Sequence, residues 1–155
     1  MNKQIEIPSQ LLEIIGQSCC RKYIGEWNSL SIGFGKRVLS SSKVIPFYGE
    51  YEIGTYFANW EITQYGKILL NKTSANTSIE LQKQLDLIDL CCITKIELGH
   101  ANTCVSFIFA HDLTVCFYPR DEIGMQDSIV VHAFLPNKKY AEFHPASGWK
   151  LEILK

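Results

Sequence analysis

Leu30-Ser31-Ile32-Gly33-Phe34 is echoed 75 residues later by Val105-Ser106-Phe107-Ile108-Phe109, and this echo decides how the chain divides. Upstream, Cys19-Cys20 lies over Cys91-Cys92 and Ile24 over Ile96 at a spacing of 72, so three residues are inserted between the matching blocks. A short polar turn is expected after each apolar block, Gly35-Lys36-Arg37 in one case and Ala110-His111-Asp112 in the other. Each unit closes on a tryptophan, Trp60-Glu61-Ile62 and Trp149-Lys150-Leu151, with the second unit extended around Gly124 to Lys139. Self-similarity at a fixed spacing marks a repeated structural unit. The units run over residues 8–70 and 78–153, joined by the polar stretch Asn71 to Thr77.

Each unit opens with helical periodicity and then changes to strands. Pro8-Ser9-Gln10 precedes Leu11, Leu12 and Ile15, and Gly16 stands where a helix C-terminus favours the left-handed conformation. In the second unit Thr77-Ser78-Ile79-Glu80 has capping-box spacing, and Leu81, Leu85 and Ile88 recur at i, i+4 and i+7. Beyond the helices, β-branched and aromatic residues dominate and polar residues interrupt them every eight to ten positions. The expected strands are Cys19 to Glu26, Ser29 to Phe34, Val38 to Ile45, Tyr56 to Thr63 and Lys67 to Leu70. The second unit adds Cys91 to Leu98, Thr103 to Ala110, Leu113 to Tyr118, Ser128 to Leu135, Tyr140 to His144 and Trp149 to Ile153. Tyr65-Gly66 and Gly99-His100-Ala101-Asn102 suit antiparallel hairpins. A parallel doubly wound fold would need a helix between most strands, and only two helical segments are visible. The expected fold class is α+β, mainly antiparallel β, with two pseudo-repeated helix-plus-meander units packed as one domain over residues 1–155.

Composition narrows the function classes. The 155 residues are 46% hydrophobic, enough for one well-buried core, and the formal charge of -1 offers no global field for polyanions or an anionic membrane. Direct nucleic-acid binding is therefore not expected. The longest apolar stretches, Val105 to Ala110 and Ile129 to Leu135, fall far short of the roughly eighteen residues of a spanning helix, and the first residues carry no export signal. Six cysteines in such a chain read as reduced thiols, which suits the cytoplasm.

Chemistry-bearing residues are scattered. His100, His111, His132 and His144 show no helical metal-pair spacing, and the cysteines lack zinc-ribbon spacing, so neither a metal nor a cofactor is implied. Glu142 and His144 share one face of a strand, which is an acid-base pattern, but no nucleophile stands near them in sequence. Cys19, Cys20, Cys91 and Cys92 follow helix C-termini, where the dipole disfavours a thiolate. No catalytic residue is assigned. Two segments, Tyr48 to Tyr56 and Pro119 to Asp127, read as acidic and aromatic loops suited to a basic protein partner. Their expected contacts are Tyr48, Glu50, Tyr51 and Glu52 in the first, with Asp121, Glu122 and Asp127 in the second.

The duplicated helix-plus-meander, with Leu30-Ser31-Ile32-Gly33-Phe34-Gly35 and the closing Trp60-Glu61-Ile62, resembles the immunity proteins of bacterial contact-dependent growth inhibition systems, which accompany polymorphic toxins. What the resemblance implies is a cytoplasmic, non-enzymatic partner that binds and neutralises a cognate toxin C-terminal domain, often a nuclease. The competing expectations are a small enzyme using His144, Glu142 and His132, or a ligand-binding module with a site between the two halves. Exposed sheet edges allow a homodimer.

Overall fold

The computed structural model describes residues 6–99, 103–120 and 128–155. The chain is mostly antiparallel β in two sheets, with two short α-helices, α1 (Ser9–Leu12) and α2 (Ser78–Asp86). The strands are β1 (Cys19–Ile24), β2 (Leu30–Leu39), β3 (Phe47–Thr55), β4 (Asn59–Gln64), β5 (Lys67–Asn71), β6 (Ile93–Gly99), β7 (Cys104–Phe109), β8 (Leu113–Tyr118), β9 (Val131–Leu135), β10 (Lys139–His144) and β11 (Gly148–Ile153). One sheet has the order β1-β2-β3-β9-β10-β11 and the other β5-β4-β8-β7-β6. Each half of the chain thus gives a three-stranded meander to one sheet and its remaining strands to the other.

The inner faces of both sheets supply one hydrophobic cluster. Ile32, Phe34, Ile53, Val131 and Phe143 come from the six-stranded sheet, and Trp60, Ile62, Val105, Phe107 and Phe117 from the five-stranded one. Phe34 and Phe109 stack across the gap with ring centroids 6.1 Å apart. The helices close the ends with Leu11, Leu81 and Leu85. Thr77 accepts the Glu80 N–H at 3.2 Å, as the capping-box spacing implies, and the Lys22 ammonium donates to the carbonyls of Leu85, Asp86 and Ile88 at the other end of α2. Gly16 takes the left-handed conformation at φ +86° and donates to the Ile93 carbonyl at 2.9 Å. Beside it, Ser18 bridges Cys92 and the Cys19 N–H donates to Cys91, so the two cysteine pairs meet where the two sheets join.

Several expectations need correction. Gly35-Lys36-Arg37 is not a turn: Gly35, at φ +83°, forms a bulge that lets β2 continue to Leu39. The next strand is consequently Phe47–Thr55 rather than Val38 to Ile45, and the segment read as a loop from Tyr48 is the centre of a strand. Trp60 and Trp149 are also not equivalent. Trp60 is fully buried on β4, inside its sheet, whereas Trp149 is half-buried on the edge strand β11 against Phe143 at 5.3 Å.

Candidate functional site

Period-two alternation turns Tyr48, Glu50, Glu52 and Gly54 of β3 to the outer face of the six-stranded sheet, while Tyr51, Ile53 and Thr55 turn to the core. Registration places Arg21 of β1 opposite Gly33 of β2, Gly33 opposite Glu52 of β3, and Glu52 opposite Phe134 of β9. The Arg21 guanidinium donates through Nη1 to Glu52 Oε1 at 2.5 Å and to Ser31 Oγ at 3.0 Å. Gly33 is what permits this reach. A Cβ there would stand 2.0 Å from Glu52 Oε2, so only a residue without a side chain lets the carboxylate cross β2.

Above this pair the sheet carries a cleft of about 960 Å³. Its walls include the rings of Tyr23, Trp27, Tyr48, Tyr56, Phe57 and Phe134, with His132 at one end. Arg21 lies 4.8 Å from the Tyr23 ring centroid and 5.1 Å from that of Tyr48, clamped between aromatic side chains. Tyr56 stacks on His132 at 4.6 Å and Phe134 meets the same imidazole edge-on at 5.5 Å. Trp27 and Phe57 stand 5.5 Å apart at the rim. Trp27 is 71% exposed and has φ +53°, a left-handed conformation that is uncommon for a bulky residue. The rim backbone is fixed on the side of the core: the Trp60 indole donates to the Asn28 carbonyl at 2.8 Å, and the Lys72 ammonium donates to the Phe57 carbonyl at 3.1 Å.

Burial governs the charges at the base. It pushes the Glu52 carboxyl up to about 7, against the Arg21 charge and the Gly49 N–H. His132, buried with its Nδ1 lacking a hydrogen bond, is brought down to about 4 by the same desolvation, against the charge of Glu142. It is a neutral imidazole at pH 7. On β10 the Tyr140 hydroxyl and His144 Nε2 each lie 2.9 Å from one oxygen of Glu142. Burial raises the Glu142 carboxyl, and those two hydrogen bonds with the charges of His144 and Lys150 outweigh it, leaving it below the usual range. The strand periodicity foresaw the Glu142–His144 contact; His132 sits opposite Glu142 on β9 without a bond to it. The thiols with resolved shifts, Cys19, Cys20, Cys91 and Cys116, are all raised, by burial in every case except Cys91, which its neighbour Cys92 raises. None is an activated nucleophile. Among the described residues no group of three or more His, Cys, Asp or Glu is arranged to hold a metal.

The expected partner contacts fare unevenly. Tyr48 and Glu50 lie along the cleft, and Glu50 accepts the Lys36 N–H at 3.0 Å. Glu52 is 6% exposed and paired with Arg21, so it is not the solvated loop carboxylate expected. Tyr51 is buried toward the core because it occupies the opposite parity of the strand. Asp121, Glu122 and Asp127 lie outside the described residues; Arg120 and Ser128, which flank them, line a small hollow with Phe57. Arg21, Tyr23, Trp27 and Phe134 escaped sequence reasoning. The available signal was alternation, Arg21-x-Tyr23 and Tyr48-x-Glu50-x-Glu52, together with a glycine inside a strand.

No protein-family model matches the chain, and neither a curated protein nor a solved structure matches it significantly. What fold and site define is a two-sheet antiparallel α+β protein with an aromatic cleft on one outer face. No helix among the described residues is long and apolar enough to cross a membrane.

Proposed function

We propose that the chain is a non-enzymatic immunity protein of the producing cell's cytoplasm that neutralises a cognate toxin domain, a nuclease in the simplest case, by binding it with the outer face of the six-stranded sheet. The observation that carries this reading is the set of large, solvent-facing rings on a fixed backbone around one cleft: Trp27, Tyr48, Tyr56, Phe57 and Phe134. Trp, Tyr and Arg are enriched at binding hot spots, and the aromatic ones bring much contact area at little cost in rotamer entropy. The test is co-expression in a bacterial host with the toxin domain encoded immediately upstream. Protected growth and a one-to-one complex are expected; arrested growth despite folded chain would overturn the reading.

A second reading is favoured by one observation: the cleft is lined from both halves of the chain, by 21–57 and by 132–137, and its volume suits a small molecule. In that reading the protein is a ligand-binding module, or a small enzyme using His144 and Glu142 with His132, of which His132 lines the cleft. Alanine at His144 or Glu142 separates the two, since neutralisation by binding needs no proton transfer. Loss of protection with folding and toxin binding intact would favour the enzyme.

We also propose that the halves are copies of one unit. The strand orders β1-β2-β3-β9-β10 and β6-β7-β8-β4-β5 exchange when each strand of one half is replaced by its counterpart in the other, and β11 is then an addition. This correspondence pairs β4 with β9, which is why Trp60 and Trp149 part company.

A further inference from the structure

We infer that the Trp27 end of the cleft is built to receive a guanidinium, carried on an arginine side chain that projects from a basic segment of the partner. This rests on the binding reading above and names the chemistry of the partner group.

Charge supplies the first argument. Besides the buried His132, the acidic and basic side chains lining the cleft are Arg21, Glu26, Glu50 and Glu52. Arg21 is spent on Glu52 and on the rings of Tyr23 and Tyr48, so Glu26 and Glu50 face the cleft without a lining cation to match them. Glu50 accepts one main-chain N–H, and Glu26, on the turn that bears Trp27, has no side-chain bond among the described residues. A phosphate or carboxylate would meet this surface at a cost, whereas a cation is attracted to it.

Rings supply the second. Aromatic faces attract cations through their quadrupole, and a guanidinium, being planar and weakly hydrated, stacks on them better than an ammonium does. The floor of the same cleft already holds one guanidinium in this manner, since Arg21 sits over two tyrosine rings and pairs with a carboxylate. Trp27 and Phe57, 5.5 Å apart, with Glu26 beside Trp27 in the same turn, offer the same residue types at the Trp27 end, and among the described residues no Lys or Arg other than Arg21 lines the cleft. Because hydrogen bonds from Trp60 and Lys72 fix the rim backbone, the rings are presented with little ordering left to do.

The probe is N-acetyl-arginine amide, titrated into the full chain while the Trp27 indole N–H is followed by NMR. Comparators are N-acetyl-citrulline amide, which has nearly the same shape without the charge, and inorganic phosphate. Arginine amide is expected to shift the Trp27 signal saturably and to bind about tenfold more tightly than citrulline amide, with phosphate inert. Trp27→Leu keeps apolar area and loses the ring; Glu26→Gln keeps shape and loses the charge. Both positions are exposed, and each variant is expected to fold and to weaken arginine binding. Equal affinity for arginine and citrulline, a preference for phosphate, or undiminished arginine binding by Trp27→Leu would overturn the inference. The experiment needs no toxin, so the two failures are distinct. Arginine binding without protection in co-expression sinks the toxin reading alone, and a toxin complex without arginine binding sinks the guanidinium alone.

Discussion

The two sheets turn different outer faces to solvent, although both are built from the same alternating strands. On the five-stranded sheet the outward row Glu97, Ser106, Cys116 and Glu61 consists of exposed or half-exposed side chains, none of them an aromatic ring. On the six-stranded sheet the matching row is Arg21, Gly33, Glu52, Phe134 and Tyr140, in which a buried ion pair crosses a glycine and aromatics stand on either side. The first arrangement satisfies a sheet at little cost. The second takes charges out of water, which stability alone does not require, because a buried ion pair is often no better than apolar packing. That difference is the physical ground on which the proposed interface is put on the six-stranded side.

The largest expected contrast is between Glu52→Ala and Glu61→Ala. Removing Glu52 leaves the Arg21 guanidinium buried without its carboxylate, at a cost of about 3 kcal/mol or more. Glu61 has no ion pair among the described residues, and its loss is expected to stay within about 0.5 kcal/mol. Denaturant midpoints for the two variants measure this directly; equal costs would erase the distinction between the faces.

Glycine gives the next contrast. Gly33→Ala must displace Glu52 and meets the Gly49 main chain at 3.0 Å, so a loss of about 1–3 kcal/mol is expected. Gly99→Ala, on β6 of the other sheet, meets nothing within 4 Å and is expected to be neutral or slightly stabilising. If Gly33→Ala proved equally harmless, the carboxylate would not depend on the gap that glycine leaves.

Acid titration sharpens the same comparison, because the two buried ionisable groups of this face act with opposite sign. The folded pKa of Glu52, about 7, lies above its ordinary 4.5, so its contribution to stability is complete below 4.5 and is lost as pH rises toward 7. The folded pKa of His132, about 4, lies below its ordinary 6.5, so its contribution is complete above 6.5 and is lost as pH falls toward 4. Arg21, Tyr23, Tyr48, Glu50 and Cys20 surround the first group, and Tyr56, Tyr140 and Glu142 the second. Across the shared window the slopes oppose each other. Glu52→Gln is expected to leave a protein that weakens on acidification, and His132→Gln one that strengthens. Unfolding midpoints followed across that window decide the matter, and parallel profiles in the two variants would contradict it.

Much of this architecture was legible in the sequence, and the misses have physical causes. β6, β7, β8, β10 and β11 lie within a residue or two of where periodicity puts them, and β7, β8 and β10 alternate between buried and half-buried positions along most of their length. The Thr77 cap and the left-handed Gly16 follow from local rules that tertiary context did not override. β3 was hidden because Tyr51–Thr55 is buried on both faces, so glycines and glutamates stand where a strand with one wet face would show simple alternation. The site was hidden for the same reason. Its ion pair joins residues 31 positions apart through a sheet register that no local pattern records, and Trp27 owes its prominence to a turn conformation that its residue type disfavours.

The smallest expected effect on stability belongs to the most prominent side chain. Trp27 is 71% exposed, so Trp27→Ala removes little buried area and is expected to change the free energy of unfolding by no more than about 0.5 kcal/mol. The same prediction holds for Leu69→Ala on β5 of the other sheet, which is 46% exposed. Stability therefore cannot tell the two apart, and binding must. A ring on a fixed rim that enters a partner interface resists dissociation, so Trp27→Ala is expected to speed release of the toxin domain about tenfold or more while Leu69→Ala leaves the rate unchanged. If Leu69→Ala loosened the complex and Trp27→Ala did not, the working face would be the five-stranded sheet, and the cleft above Arg21 and Glu52 would need another explanation.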